Sequence, residues 1–148
     1  EMLYKVLGLD FVGEDEDYIR FRSLDDLGNI IDIKKDPVPQ GRMGVGTVHH
    51  IAWRADEQMD QAQWKKLIES DGYQVTDVKD RNYFHSVYFW EPGEILFEIA
   101  TDVPGFLIDE PCDHLGEELK LPPQLKHLRG KIEAGLIPIE VPVAIKND

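Results

Sequence analysis

Cysteine is all but missing: Cys112 is the only one in 148 residues. It has no partner for an internal disulfide and no Cys-x-x-Cys neighbour for a structural zinc, which fits a reducing compartment and a cytoplasmic location. Basic residues are scarce as well. The chain has 16 Lys and Arg against 29 Asp and Glu, a formal net charge of −13. Such a surface repels phosphate backbones, so no nucleic-acid partner is expected. No apolar run is long enough to cross a bilayer and no basic, apolar leader opens the chain, so no membrane partner is expected either. The chain starts on Glu1-Met2 instead of an initiator methionine, and the expectation is a piece of a longer protein.

What is present is a series of short periodic segments. Met2 to Leu7 reads as the end of a helix closed by Gly8, a residue free to take the left-handed cap conformation. Leu9-Asp10-Phe11-Val12, the alternating run Tyr18 to Arg22, and Ile30 to Ile33 read as three strands. Residues 34–46 hold Pro37, Pro39, Gly41, Gly44 and Gly46 and read as linker or loop. Thr47 to Arg54 is β-branched and aromatic and reads as a strand. A helix follows, with Asp56 as N-cap, Glu57 in its first turn and Trp64, Leu67 and Ile68 on one face. Gly72 ends it. Tyr73 to Thr76, Tyr83 to Trp90 and Glu94 to Ala100 read as three more strands. Beyond Asp102 the prolines mark extended chain, with a helix at Leu125 to Ala134 and a tail over Ile137 to Ile145.

Two stretches repeat each other. The helix ends at Gly8 and again at Gly72. LDFV answers to YQVT, YIRFR to SVYFW, and GNIIDI to GEILFEI, which sets Asp32 opposite Glu98. The expected fold class is therefore α+β, a βαβββ module used twice with the first copy lacking its opening strand. The expected boundaries are 1–35 for the incomplete module, 36–46 for a linker, 47–102 for the complete module, and 103–148 for an extension that packs on the domain or on a partner.

His50 and Glu98 are the candidate metal ligands. Side chains alternate across a strand, so His50 shares a face with Val48 and Ala52, while Glu98 lies opposite the apolar face of Ile95, Phe97 and Ile99. Solvent exposure is the plain reason for such a carboxylate, and metal ligation the sharp one. His49 is the fallback ligand, since a one-residue slip swaps the faces. Asp32 has no histidine beside it and reads as structural.

Three longer stretches, GVGTVHHIAWRADEQMDQAQW, DRNYFHSVYFWEPGEILFEIATDVPGF and GEELKLPPQ, carry a resemblance. The chain resembles the vicinal-oxygen-chelate superfamily of glyoxalases, bleomycin-resistance proteins and extradiol dioxygenases. Over about Val6 to Ile139 it is similar to the C-terminal half of bacterial hydroquinone-type ring-cleaving dioxygenases. The resemblance implies an Fe(II) ion on two histidines and one carboxylate, with His50 and Glu98 as two of the three ligands. Zn, Mn or Ni would suit the same donors. It implies an aromatic substrate and dioxygen as partners. The third ligand is expected from outside this chain, from a missing N-terminal half or a second copy in a homodimer. Such enzymes also carry a histidine ahead of a strand tyrosine. Tyr88 matches the tyrosine, but Lys79, Asp80 and Arg81 stand where the histidine would be. His85 and Tyr83 are catalytic candidates by proximity alone. The alternatives are a glyoxalase-like lyase or isomerase completed by a second glutamate, and a metal-free small-molecule-binding module.

Overall fold

The computed structural model describes residues 1–39, 41–55 and 59–138. A helical turn, Met2–Val6, opens the chain, and Gly8 at φ +71° lets the backbone reverse. Across that reversal the Leu9 N–H returns to the Leu3 carbonyl at 2.9 Å. Three antiparallel strands follow: β1 (Asp10–Glu14), β2 (Tyr18–Arg22) and β3 (Ile30–Lys34), in the spatial order β1-β2-β3. A bulge between Phe11 and Gly13 shifts the register of β1.

The second sheet has four strands in the order β4-β7-β6-β5. They are β4 (Ile51–Arg54), β5 (Lys79–Asp80), β6 (His85–Trp90) and β7 (Leu96–Ala100). β4 runs parallel to β7, and the other pairs are antiparallel. Helix α1 (Gln61–Ser70) crosses over between β4 and β5 and packs on β6 and β7. The fold class is α+β with the repeated βαβββ-type topology, and its first copy has three strands where the second has four.

Several boundaries differ from those read in the sequence. α1 starts at Gln61 with Asp60 as N-cap, in place of Asp56. Asp60 Oδ1 accepts from Gln63 N–H at 2.7 Å, and Gln63 Oε1 accepts from Asp60 N–H at 2.9 Å, a reciprocal pair that satisfies two free amides of the first turn. Asp56 and Glu57 lie outside the described residues. The strand expected from Thr47 is regular only from Ile51, because its one ladder in the sheet, to β7, has run out by the level of Leu96. The strand expected at Tyr73 to Thr76 is reduced to one bridge, Val75 to Phe89. There Tyr88 N–H donates to the Thr76 hydroxyl at 3.1 Å, so a side chain takes the acceptor place a ladder carbonyl would fill. The paired strand on that side is Lys79–Asp80. At the C-terminal end, a 3₁₀ segment Pro123–Leu128 leads into α2 (Arg129–Gly135). Of the tail read over Ile137 to Ile145, only Ile137 and Pro138 are described.

The core lies where α1 and the opening turn meet the sheets. Ile68 of α1 and Val87, Phe89, Phe97 and Ile99 of the second sheet are buried together with Met2, Leu3, Val6, Leu9 and Phe21. Val87 and Phe89 on β6, like Phe97 and Ile99 on β7, alternate with Tyr88 and Glu98. Packing the first set against the helix therefore turns the second set to the opposite face of the sheet. α1 buries Gln61 and Ile68 and packs Trp64 against the core, while Leu67, expected on the same stripe, is 38% exposed.

Candidate metal centre

The register of three strands builds the site. Glu98 in the middle of β7 pairs with Ala52 of β4 on one side and with Tyr88 of β6 on the other. All three side chains therefore leave the sheet on one face, and His50, two residues before Ala52, reaches over the same face. His50 Nε2 stands 2.8 Å from Glu98 Oε2. The Tyr88 hydroxyl donates to Glu98 Oε1 at 2.5 Å. Glu98 is only 2% exposed, and a carboxylate so far from water has to be paired. Here it is paired twice, once at each oxygen.

The neighbours extend the network in both directions. His49 Nδ1 lies 2.9 Å from His50 Nδ1. One of these nitrogens donates and the other accepts, so His49 is coupled to the tautomer of His50. On the other side, Arg81 donates from Nη2 and Nε to the Tyr88 hydroxyl oxygen at 3.2 and 3.3 Å, and its guanidinium lies 5.2 Å from the centre of the Tyr88 ring. The line His49, His50, Glu98, Tyr88, Arg81 is continuous.

Of the candidates singled out in the sequence, His50, Glu98 and Tyr88 come together, with His49 against His50. His85 does not. It lies three positions from Tyr88 on β6, at odd spacing, and so leaves the sheet on the opposite face. Its backbone N–H is held by Thr101 Oγ1 at 3.0 Å, and among the described residues its ring makes no hydrogen bond to the line above. His114 pairs with Glu117 at 2.9 Å in the extension, away from this face. Arg81, named in the sequence only as standing where a histidine is expected, joins the site. The pairing of β5 supplies the reason: Lys79 lies opposite Ser86, which shares the face of Tyr88, and two positions on from Lys79 is Arg81.

Two donors held by one first-row ion at right angles, each about 2.1 Å from it, stand roughly 3 Å apart. The separation of His50 Nε2 and Glu98 Oε2 matches, and an imidazole with a carboxylate is a donor set that such ions accept. The pair thus fits a metal. Among the described residues no three His, Cys, Asp or Glu side chains converge, so the fit is for two ligands.

Asp32 answers the question the repeat raised. It pairs with Arg20 as Glu98 pairs with Tyr88. Arg20 donates to both its oxygens, at 2.7 and 2.6 Å, and these bonds hold the Asp32 carboxyl below its ordinary pKa. The first copy thus carries a closed ion pair where the second carries an imidazole-facing carboxylate.

No family model matches the chain. It is 54% identical over 141 residues to the protein of Bacillus subtilis (strain 168) named "Putative ring-cleaving dioxygenase MhqO", covering 95% of this chain and 45% of that one. It is 38% identical over 91 residues to the chlorohydroquinone/hydroquinone 1,2-dioxygenase of Sphingobium indicum, covering 61% of this chain and 28% of that one. The crystal structure of a "putative dioxygenase" from Bacillus subtilis superposes with a TM-score of 0.89 at 54% identity over 95% of this chain and 46% of that one. The fosfomycin resistance protein FosX of Listeria monocytogenes shares the fold, with a TM-score of 0.55 at 19% identity over 70% of this chain and 78% of that one. The chain spans less than half the length of the dioxygenase relatives named here.

Proposed function

The chain belongs to the vicinal-oxygen-chelate superfamily as close kin of the bacterial ring-cleaving dioxygenases, and from that premise we propose that it carries two thirds of the ferrous site of an extradiol dioxygenase acting on hydroquinone- or catechol-like rings. The observation that supports this most is the 2.8 Å approach of His50 Nε2 to the buried carboxylate of Glu98. His50 and Glu98 would hold Fe(II). The third ligand would come from a segment outside these residues or from a second copy of the chain. Bound there, ferrous iron would supply open positions for a ring oxygen and for dioxygen and a relay for electrons from the ring to dioxygen.

The chain's own residues prepare the site in three ways. Tyr88 places its proton on Glu98 Oε1, which leaves Oε2 turned toward His50. An imidazole nitrogen that faces a carboxylate as N–H must lose that proton before it can ligate. The contact of His50 Nδ1 with His49 Nδ1 provides for the other tautomer, in which the proton sits on Nδ1 of His50 and is accepted by His49. Arg81 sets a permanent positive charge at the Tyr88 oxygen, where it favours a ring substrate entering with its hydroxyl deprotonated. His85 has no role in this reading.

Ring cleavage is preferred to the lyase and metal-free readings because the relatives that align over most of the chain are named as dioxygenases. The test is metal content and oxygen uptake with hydroquinone after anaerobic loading with iron. We expect bound iron and uptake where the third ligand is supplied, and iron affinity lowered by more than about 100-fold in His50→Ala and Glu98→Ala, since even the partners of ligands are worth 10- to 100-fold. Unchanged iron content in both variants would sink the assignment.

A further inference from the structure

The segment that follows β7 is tied to the turn that carries Arg81. Gly105 N–H donates to the Tyr83 carbonyl at 2.8 Å. The Tyr83 hydroxyl donates to Asp109 Oδ2, and the Tyr83 ring packs tilted against Phe106 with centroids 4.7 Å apart. The bond to Asp109, with burial second, raises the pKa of the Tyr83 phenol above its ordinary value, so it stays a donor at neutral pH. Nothing in the site described above uses these contacts.

Tyr83 sits inside a tight turn. Arg81 N–H donates to the Phe84 carbonyl at 2.9 Å. Asn82 is left-handed at φ +71°, and its N–H is held by Asp80 Oδ1 at 2.8 Å. The strand that delivers Arg81 to this turn is only two residues long and lies at the edge of its sheet. On its outer side the turn faces Pro122, Pro123 and Gln124 across a cleft of about 390 Å³, so close packing does not hold it there. Arg81 itself has a long, exposed side chain whose two bonds to Tyr88 are at the long end of the range. Where its guanidinium rests depends on what fixes the turn, and the fixed point is Tyr83.

We propose that Tyr83 and Asp109 are positioning residues, which lock the 81–84 turn to the post-β7 segment so that the Arg81 guanidinium stays on the Tyr88 hydroxyl. The proposal rests on the reading of Arg81, Tyr88, Glu98 and His50 as one site. It makes the extension part of the catalytic machinery's support instead of a passive strap.

Two measurements test it. In the metal-free protein, exchange of the Arg81 Nε–H with water is followed by nitrogen-15 NMR. Tyr83→Phe and Asp109→Ala should each speed it by about 2- to 10-fold, the range one hydrogen bond spans, while Asp109→Asn, which keeps an acceptor for the phenol, should restore most of the protection. In the iron-loaded protein, Asp109→Ala should lower kcat with hydroquinone by a similar factor, and the same change should add nothing in an Arg81→Lys background. Native exchange rates in both Tyr83→Phe and Asp109→Ala, or kcat losses that multiply with that of Arg81→Lys, would overturn the proposal. Should the native protein take up no oxygen and His50→Ala leave metal binding intact, the functional reading fails, and the exchange measurement still decides this one.

Discussion

Replacing Tyr88 with Phe removes a single oxygen from the protein, and its consequence can be worked from the geometry. That oxygen is 2.5 Å from Glu98 Oε1 as a donor and accepts from Arg81 at 3.2 and 3.3 Å. The two sides are unequal. Arg81 is exposed and can return to water, so losing its long bonds costs little. Glu98 is 2% exposed, and water cannot replace the lost donor. Hydrogen bonds to charged groups contribute about 1.5–3 kcal/mol net, and we expect Tyr88→Phe to destabilise the metal-free protein by about 2 kcal/mol. With a urea slope of about 2 kcal/mol per molar, the midpoint should fall by about 1 M. The assay is urea unfolding followed by far-ultraviolet circular dichroism, with Tyr4→Phe, at an exposed tyrosine, as the control that should stay within about 0.5 kcal/mol. If Tyr88→Phe unfolds at the native midpoint, the phenol is not what holds Glu98, and the account of how the carboxylate is oriented toward His50 is refuted.

Two further outcomes follow from the same structure. Asp60→Ala removes the cap that closes the first turn of α1 and should cost about 1 kcal/mol, read as a drop in melting temperature of about 3 °C. Asp32 titrates below its ordinary value because Arg20 donates to it. Its ion pair is intact above that value and is lost as the pH falls through the lowered midpoint, so Arg20→Gln should move the carboxyl titration upward in carbon-13 NMR and flatten the acid limb of the stability curve.

Much of this protein is legible along the chain, and the illegible parts share a cause. Gly8 and Gly72 close their helical segments where a positive φ is needed, and the alternation around Glu98 and Tyr88 assigns their face without any coordinates. The cap of α1 was read four residues early because Asp56 and Asp60 are the same residue type. What distinguishes them is the third residue on: Gln63 returns the bond to Asp60, and the same place after Asp56 holds Met59. The Tyr73 to Thr76 run has strand chemistry, yet Thr76 spends its hydroxyl on Tyr88 N–H, a choice made by a residue on another strand. His85 seemed near Tyr88 because it is near in sequence, while the period of two turns it to the other side.

The residue types and their spacing determined by themselves that this chain would fold as a repeated α+β module and that an imidazole, a carboxylate and a phenol would stand on chosen faces. Those are local properties, set by backbone periods of two and 3.6 residues. Only the tertiary structure decided that they meet. The parallel register of β4 on β7 brings His50 to Glu98, the edge pairing of β5 brings Arg81 to Tyr88, and the contact of Tyr83 with Asp109 ties the turn after β5 to the segment that follows β7. The first and the last of these join segments distant in the chain, the second closes a short hairpin, and all act through hydrogen bonds whose partners the local pattern leaves open while the core of Ile68, Val87, Phe89 and Ile99 is buried.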